Sequence, residues 1–206
     1  LNRKLVIFLS SMYVLFMAYL TIYFLIIGIP FKSLVALSGI LCGGIPLIVA
    51  IFTKFQLNLS IIVSYLIFLI GSQYFGSIKG WFGQGSWDTL IHFISGPVLA
   101  FVGRALNKRL LHQEESDIIS PWFVFLSTLS IVALGGVIWE IYEFCVDYLF
   151  GTDMQMGGNL DTMTDLIAET VGGSIISIWA GVKTKIRNST LLSIKNHHAS
   201  RNNVNY

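Results

Sequence analysis

Apolar positions in this chain come in runs long enough to cross a bilayer, and polar positions gather between them. A hydrocarbon core about 30 Å thick needs about 20 apolar residues per helix. Six stretches come close to or exceed that length: residues 5–29, 33–53, 57–76, 89–106, 121–143 and 164–182. The pattern predicts an all-α, polytopic membrane protein of about six transmembrane helices. The first run is too long for the core of a signal peptide and is expected to remain as an uncleaved span. Gly43-Gly44-Ile45-Pro46 predicts a kink in the second, of the kind that neighbouring helices tolerate.

The polar segments refine this picture. Lys79 to Trp87 is too polar and glycine-rich to span, and its tryptophans suit a membrane–water interface. Ser120-Pro121 predicts a helix start, with Ser as cap and Pro at the first helical position. Asp161 to Asp165 supplies cap residues for the sixth helix. No internal repeat or second domain is visible. Residues 1–187 read as the transmembrane domain and 188–206 as a disordered cytoplasmic tail.

Composition agrees: 54% of residues are hydrophobic, 12% are charged, and the mean hydropathy is +0.73. Soluble domains carry about a quarter charged residues. The distribution of charge adds an orientation. With the N-terminus inside, eleven of the thirteen Lys and Arg residues fall in inner segments, leaving Lys32 and Lys79 outside. Both termini are therefore expected in the cytoplasm. Basic residues in short flanks, without an interleaved aromatic stripe, argue against a nucleic-acid partner. Cys42 and Cys145 give neither a disulfide framework nor a ligand spacing and read as small buried residues.

The same orientation sorts the eleven acids. Glu114, Glu115 and Asp117 fall in the inner loop between the fourth and fifth helices, and the other eight fall toward the outer side. Residues 135 to 173 hold seven acids and no Lys or Arg. Carboxylates at a membrane edge are expensive to place. On a helix, residues three or four apart share a face. Asp88 and His92 continue inward to Gly96, Ala100 and Gly103; Gly136 leads outward to Glu140, Glu143 and Asp147; Asp161, Asp165 and Glu169 lead inward to Gly172-Gly173. Small residues allow close helix approach. The pattern predicts one outward-facing pocket built from Asp88, His92, Glu140, Glu143, Asp161, Asp165 and Glu169.

Asp88, Asp161 and Asp165 also suit helix N-termini, where capping and the helix dipole favour a carboxylate. Glu140 and Glu143 are expected near the C-terminal end of the fifth helix, which disfavours anions. A compensating group is then required: His92, a shared proton or a bound cation. His92, Glu140, Glu143 and Asp165 form the candidate ligand set for a divalent cation, with oxygen ligands for Mg²⁺, Ca²⁺ or Mn²⁺ and a mixed set for Zn²⁺. His112, His197 and His198 lack such surroundings. Nucleophile-elbow, zincin, CxxC and phosphate-loop motifs are absent from the sequence, so it names no catalytic residue.

Three ordered motifs carry a resemblance: Trp87-Asp88-x3-His92-x3-Gly96, Trp139-Glu140-x2-Glu143, and Asp161-Thr162-x2-Asp165-x3-Glu169-x2-Gly172-Gly173. Over residues 57–182 the chain resembles the YjdF-like bacterial inner-membrane proteins and, more distantly, the VanZ-like family. The resemblance implies a multi-pass protein of the bacterial cell envelope. VanZ-like members are associated with low-level teicoplanin resistance, and an Asn is common in them where Glu169 stands here.

Three classes of function fit these features. One is a divalent-cation site that holds, or hydrolyses, an envelope lipid or cell-wall-precursor headgroup. Another is a noncatalytic structural or accessory membrane protein whose acids pack and cap. The third is a cation- or proton-coupled transporter, against which stands the lack of any charged residue at mid-span.

Overall fold

A computed structural model describes residues 2–53, 58–110, 118–151, 153–156 and 158–203. Its helices are α1 (Asn2–Ile26), α2 (Pro30–Phe52), α3 (Leu59–Leu69) continuing as a π-helix (Ile70–Ile78), a short 3₁₀ turn (Trp81–Gly83), α4 (Trp87–Leu110), α5 (Pro121–Phe150) and α6 (Asn159–Asn203). No strand occurs among the described residues. Among the described residues, six helical stretches are long and apolar enough to cross a membrane, with Leu59–Ile78 counted as one. Large apolar side chains such as Leu15, Leu41, Phe52 and Tyr148 are exposed. That surface is costly in water and comfortable in hydrocarbon. Lys54, His112, Glu114, Glu115 and Asp117, which the sequence places in inner loops, lie outside the described residues.

Helix boundaries depart most from the hydropathy pattern in the last three helices, which run longer than their apolar stretches. α5 ends at Phe150 instead of near 143, with Gly151 in the left-handed conformation as its stop. α6 begins at Asn159 and continues to Asn203, through the polar stretch where the pattern places a disordered tail. Apolar content reports where lipid is, whereas helix length is set by backbone hydrogen bonding. Ser120 caps α5 as expected, its Oγ accepting from the Phe123 N–H at 3.4 Å with Pro121 at the first position. α2 passes through Gly43 and Pro46 as one helix.

The chain divides into two compact units, residues 1–94 and 95–206, with α4 running from one into the other. In the first, α1 and α2 pair antiparallel. Gly39 faces Met17 and Gly43 faces Tyr13 so closely that a Cβ at either would collide. Arg3 donates to the Ala50 carbonyl at 2.8 Å and to that of Ile51 at 3.3 Å, satisfying acceptors that the end of α2 leaves open. The core gathers Val6, Tyr13, Met17, Ile62, Leu66 and Leu69. Tyr13 donates its hydroxyl proton to Gln73 Oε1 at 2.6 Å, tying α1 to the π-helix.

Hydropathy gives no sign of that π-helix. Its five-residue hydrogen bonding, as in Lys79 N–H to the Tyr74 carbonyl at 2.9 Å, stacks residue i+5 nearly over residue i. Gly71 meets Ile91 and Gly76 meets Phe82 on that account. Beyond it, Gly80 and Gly85 take positive φ (78° and 62°) to turn the chain through the segment that does not span. Phe75, Trp81 and Trp87 pack together there, and Trp87 Nε1 donates to the Gly71 carbonyl at 3.2 Å.

The second unit is a three-helix packing held by small residues. Gly103 meets Ile131, Gly135 meets Leu99, and Asn107 donates to Ser127 Oγ at 2.8 Å, giving α4 and α5 an antiparallel register. Gly96 abuts the α6 backbone at Glu169 and Gly173. Gly173 meets Val132, Gly136 meets Glu169, and Gly181 meets Pro121 and Phe125, so α5 and α6 run antiparallel in steady register. The hydroxyls of Ser174, Ser177 and Thr184 bond to carbonyls of their own helix one turn back. Cys145 is exposed on the apolar surface and Cys42 is half-buried, so neither is the buried residue expected from its run.

Candidate functional site

The acids of α5 and α6 are placed by the glycines that precede or follow them. Gly136 admits the end of the Glu169 side chain, and Gly96 and Gly173 let the helix backbones close around that same turn. Because Gly136 pairs with Glu169 in antiparallel register, one further turn sets Glu140 level with Asp165. A cleft of about 560 Å³ agrees with this register, since Glu140 lines it with Phe144, Gln155, Thr162 and Leu166.

Burial singles out four of the five expected residues that lie in this unit. Asp165 is 1% exposed, Glu169 3%, and Glu140 and Glu143 5% each. Ionised carboxylates in such surroundings require neutralisation by a proton, a cation or a full set of donors. Glu143 Oε1 accepts from Trp139 Nε1 on its own helix at 2.9 Å. The basic residues that face each other in this unit, Arg104 and Lys183, both lie against Trp179. Trp179 follows Glu169, the nearest of these acids along α6, by ten residues, about 15 Å of helix.

The longer α5 changes the electrostatic reasoning for Glu140 and Glu143. They lie two to three turns before Phe150, and the dipole effect falls off within the last turn. Desolvation is therefore the dominant cost for both. Asp147 is the acid in the unfavourable last turn. Its carboxylate accepts from the Met154 N–H at 2.7 Å and the Gln155 N–H at 2.9 Å, which offsets the dipole and folds the loop back onto α5. Gln155 in turn donates to Thr162 Oγ1 at 2.8 Å. Asp161 is half-buried in the first turn of α6, where the dipole favours it.

In the first unit, Asp88 and His92 are both buried, with His92 Nε2 3.7 Å from Asp88 Oδ1 across one turn of α4. Asp88 stands in the first turn of that helix, where the dipole favours a carboxylate. The sequence reading missed three partners: Trp139, Gln155 and Gln73. Trp139 was legible, being four residues before Glu143 on a helix. Gln155 and Gln73 act through a loop and a π-helix, which no periodicity announces.

Residues 8–185 match the family described as predicted membrane protein (DUF2238), and the chain belongs to that family. No curated protein and no solved structure matches it.

Proposed function

We propose that this DUF2238-family membrane protein holds a divalent cation on the buried carboxylates of α5 and α6, and through it the anionic headgroup of an envelope lipid or cell-wall precursor. The observation that carries the reading is the burial of Glu140, Glu143, Asp165 and Glu169 to 5% exposure or less on two helices in register. Residues 135–173 contain no Lys or Arg to offset them. Four carboxylates gathered at one level offer a cation oxygen ligands, the preference of Mg²⁺, Ca²⁺ and Mn²⁺. The cleft beside Glu140 falls within the usual 300–1,000 Å³ of small-molecule sites and has Phe144 and Leu166 among its walls.

The orientation, with both termini in the cytoplasm of a bacterial cell and the acids at the outer face, rests on the positive-residue distribution and belongs to this proposal. So does the YjdF-like and VanZ-like resemblance, whose three motifs fall inside the matched residues. The role of His92 as a ligand is also a proposal. His92→Gln should weaken the metal response; an unchanged response would confine the ligands to α5 and α6.

The deciding experiment is metal-dependent unfolding. A cation at a hundredfold excess over its Kd stabilises the folded chain by about 2.7 kcal/mol. Glu140→Gln should remove most of that gain and leave the metal-free fold intact, while Glu114→Gln should change nothing. An equal metal response in wild type and Glu140→Gln would retire the cation site. The accessory-protein reading would then lead, supported by the local roles already held by Glu143 and Asp147.

A further inference from the structure

The far end of the second unit holds a separate convergence of charge, of the opposite sign. The Arg104 guanidinium lies 4.8 Å and the Lys183 ammonium 4.9 Å from the centre of the Trp179 ring. The two cations are thus within about 10 Å of each other. Arg187 follows Lys183 by one turn on α6, and Lys108 follows Arg104 by one turn on α4. Among the described residues, neither Arg104 nor Lys183 forms an ion pair with a carboxylate. An indole offers each cation its ring quadrupole, but it does nothing to reduce the repulsion between them.

Polarity along these helices has a direction. Ile175, Trp179 and Lys183 stand one turn apart on α6 and pass from apolar through aromatic to cationic. Ile175, Val182, Val102 and Leu106 are exposed, and the indole is 44% exposed. That sequence of surfaces complements a phospholipid: hydrocarbon along the exposed apolar residues, glycerol level with the indole, phosphate at the cations. A guanidinium also presents a planar fork suited to two phosphate oxygens.

We propose that Arg104 and Lys183, arranged around Trp179 with Arg187 behind them, bind the phosphate of an anionic membrane lipid. This site lies at the opposite end of the unit from the acids and does not depend on their role. Free phosphate shares the headgroup chemistry but has nothing to place on the exposed apolar face, so the lipid is the expected occupant.

Native mass spectrometry of the full chain in detergent provides the test, using phosphatidylglycerol and phosphatidylcholine of matched chains and, separately, inorganic phosphate. Wild type should retain phosphatidylglycerol in preference to phosphatidylcholine. Each charge removed should weaken that preference about fivefold, so Arg104→Gln with Lys183→Gln should nearly abolish it. Lys32→Gln with Lys79→Gln removes two cations that each face a single aromatic ring, Phe24 and Tyr74, and should leave it intact. Should the double variant fail to fold, the preference of the wild type itself must fall as salt rises from 50 to 500 mM. Equal retention of the two lipids, a salt-independent preference, or equal loss in both double variants would overturn the proposal. Binding of inorganic phosphate as tight as that of phosphatidylglycerol would overturn the lipid as occupant.

Discussion

Replacing Gly96 by alanine tests the packing that sets the position of Glu169. A Cβ built at Gly96 falls 2.5 Å from the Gly173 nitrogen and still closer to the Glu169 carbonyl oxygen. Both obstacles are backbone, so no side-chain rotation relieves them. Restoring ordinary contact requires α4 and α6 to separate by about 1 Å, which forfeits a quarter to a half of the well for each atom pair across the seam. Over about forty such pairs at 0.1–0.2 kcal/mol each, the loss is about 2 kcal/mol, within the 1–3 kcal/mol typical of overpacked sites. Gly44, also inside a helix, has nothing within 4 Å of its built Cβ. Gly44→Ala therefore isolates the helix-propensity gain of about 1 kcal/mol, which both substitutions share. Thermal unfolding of the detergent-solubilised chain, followed by circular dichroism, should place Gly96→Ala below Gly44→Ala by about 4–8 °C. A difference of less than 1 °C would refute the close approach of α4 and α6 at this turn.

Three further outcomes follow from the same geometry. Gly136→Ala first meets the flexible ends of Glu169 and Leu166, so its cost should stay under about 1 kcal/mol, while the displaced Glu169 carboxylate should weaken the metal-dependent rise in unfolding temperature. Asp147→Ala removes two charge-assisted bonds to the loop and should cost about 2–3 kcal/mol in urea or thermal unfolding, without altering that metal response. For the proposed orientation, single cysteines at Ser86 and Asp153, with Cys42 and Cys145 replaced, should label from outside intact cells and a cysteine at His112 should not. Labelling at position 112 from outside would reverse the orientation.

The spans were legible because run length is the quantity a bilayer selects. Their ends were not: Asp147, Tyr148 and Leu149 continue α5 by hydrogen bonding that hydropathy does not register, and Lys183 to Asn203 continue α6 in the same way. This moved the helix-dipole penalty from Glu140 and Glu143 to Asp147, the acid whose local partners answer it. The small-residue faces were legible because Gly96, Gly136 and Gly173 keep the three- and four-residue spacing of an α-helix to the acids beside them. Burial of Glu140, Glu143, Asp165 and Glu169 followed from those faces. Cys145 was misplaced because an apolar residue in a membrane helix faces lipid as readily as protein.

Gly71 and Gly76 stand five residues apart, an odd interval for two glycines on one face, and the π-helix is what makes it work. In the vocabulary of gene variation, this span carries a built-in allowance for length. Losing one codon between them would leave a four-residue interval, which an ordinary α-turn also stacks. Both glycines would still face Ile91 and Phe82, and the span would shorten by about 1.5 Å. Insertions and deletions inside a transmembrane helix usually rotate everything beyond them out of register. Here a one-residue deletion has a second winding available to absorb it, so relatives that differ by a single residue within a span should differ between positions 71 and 76.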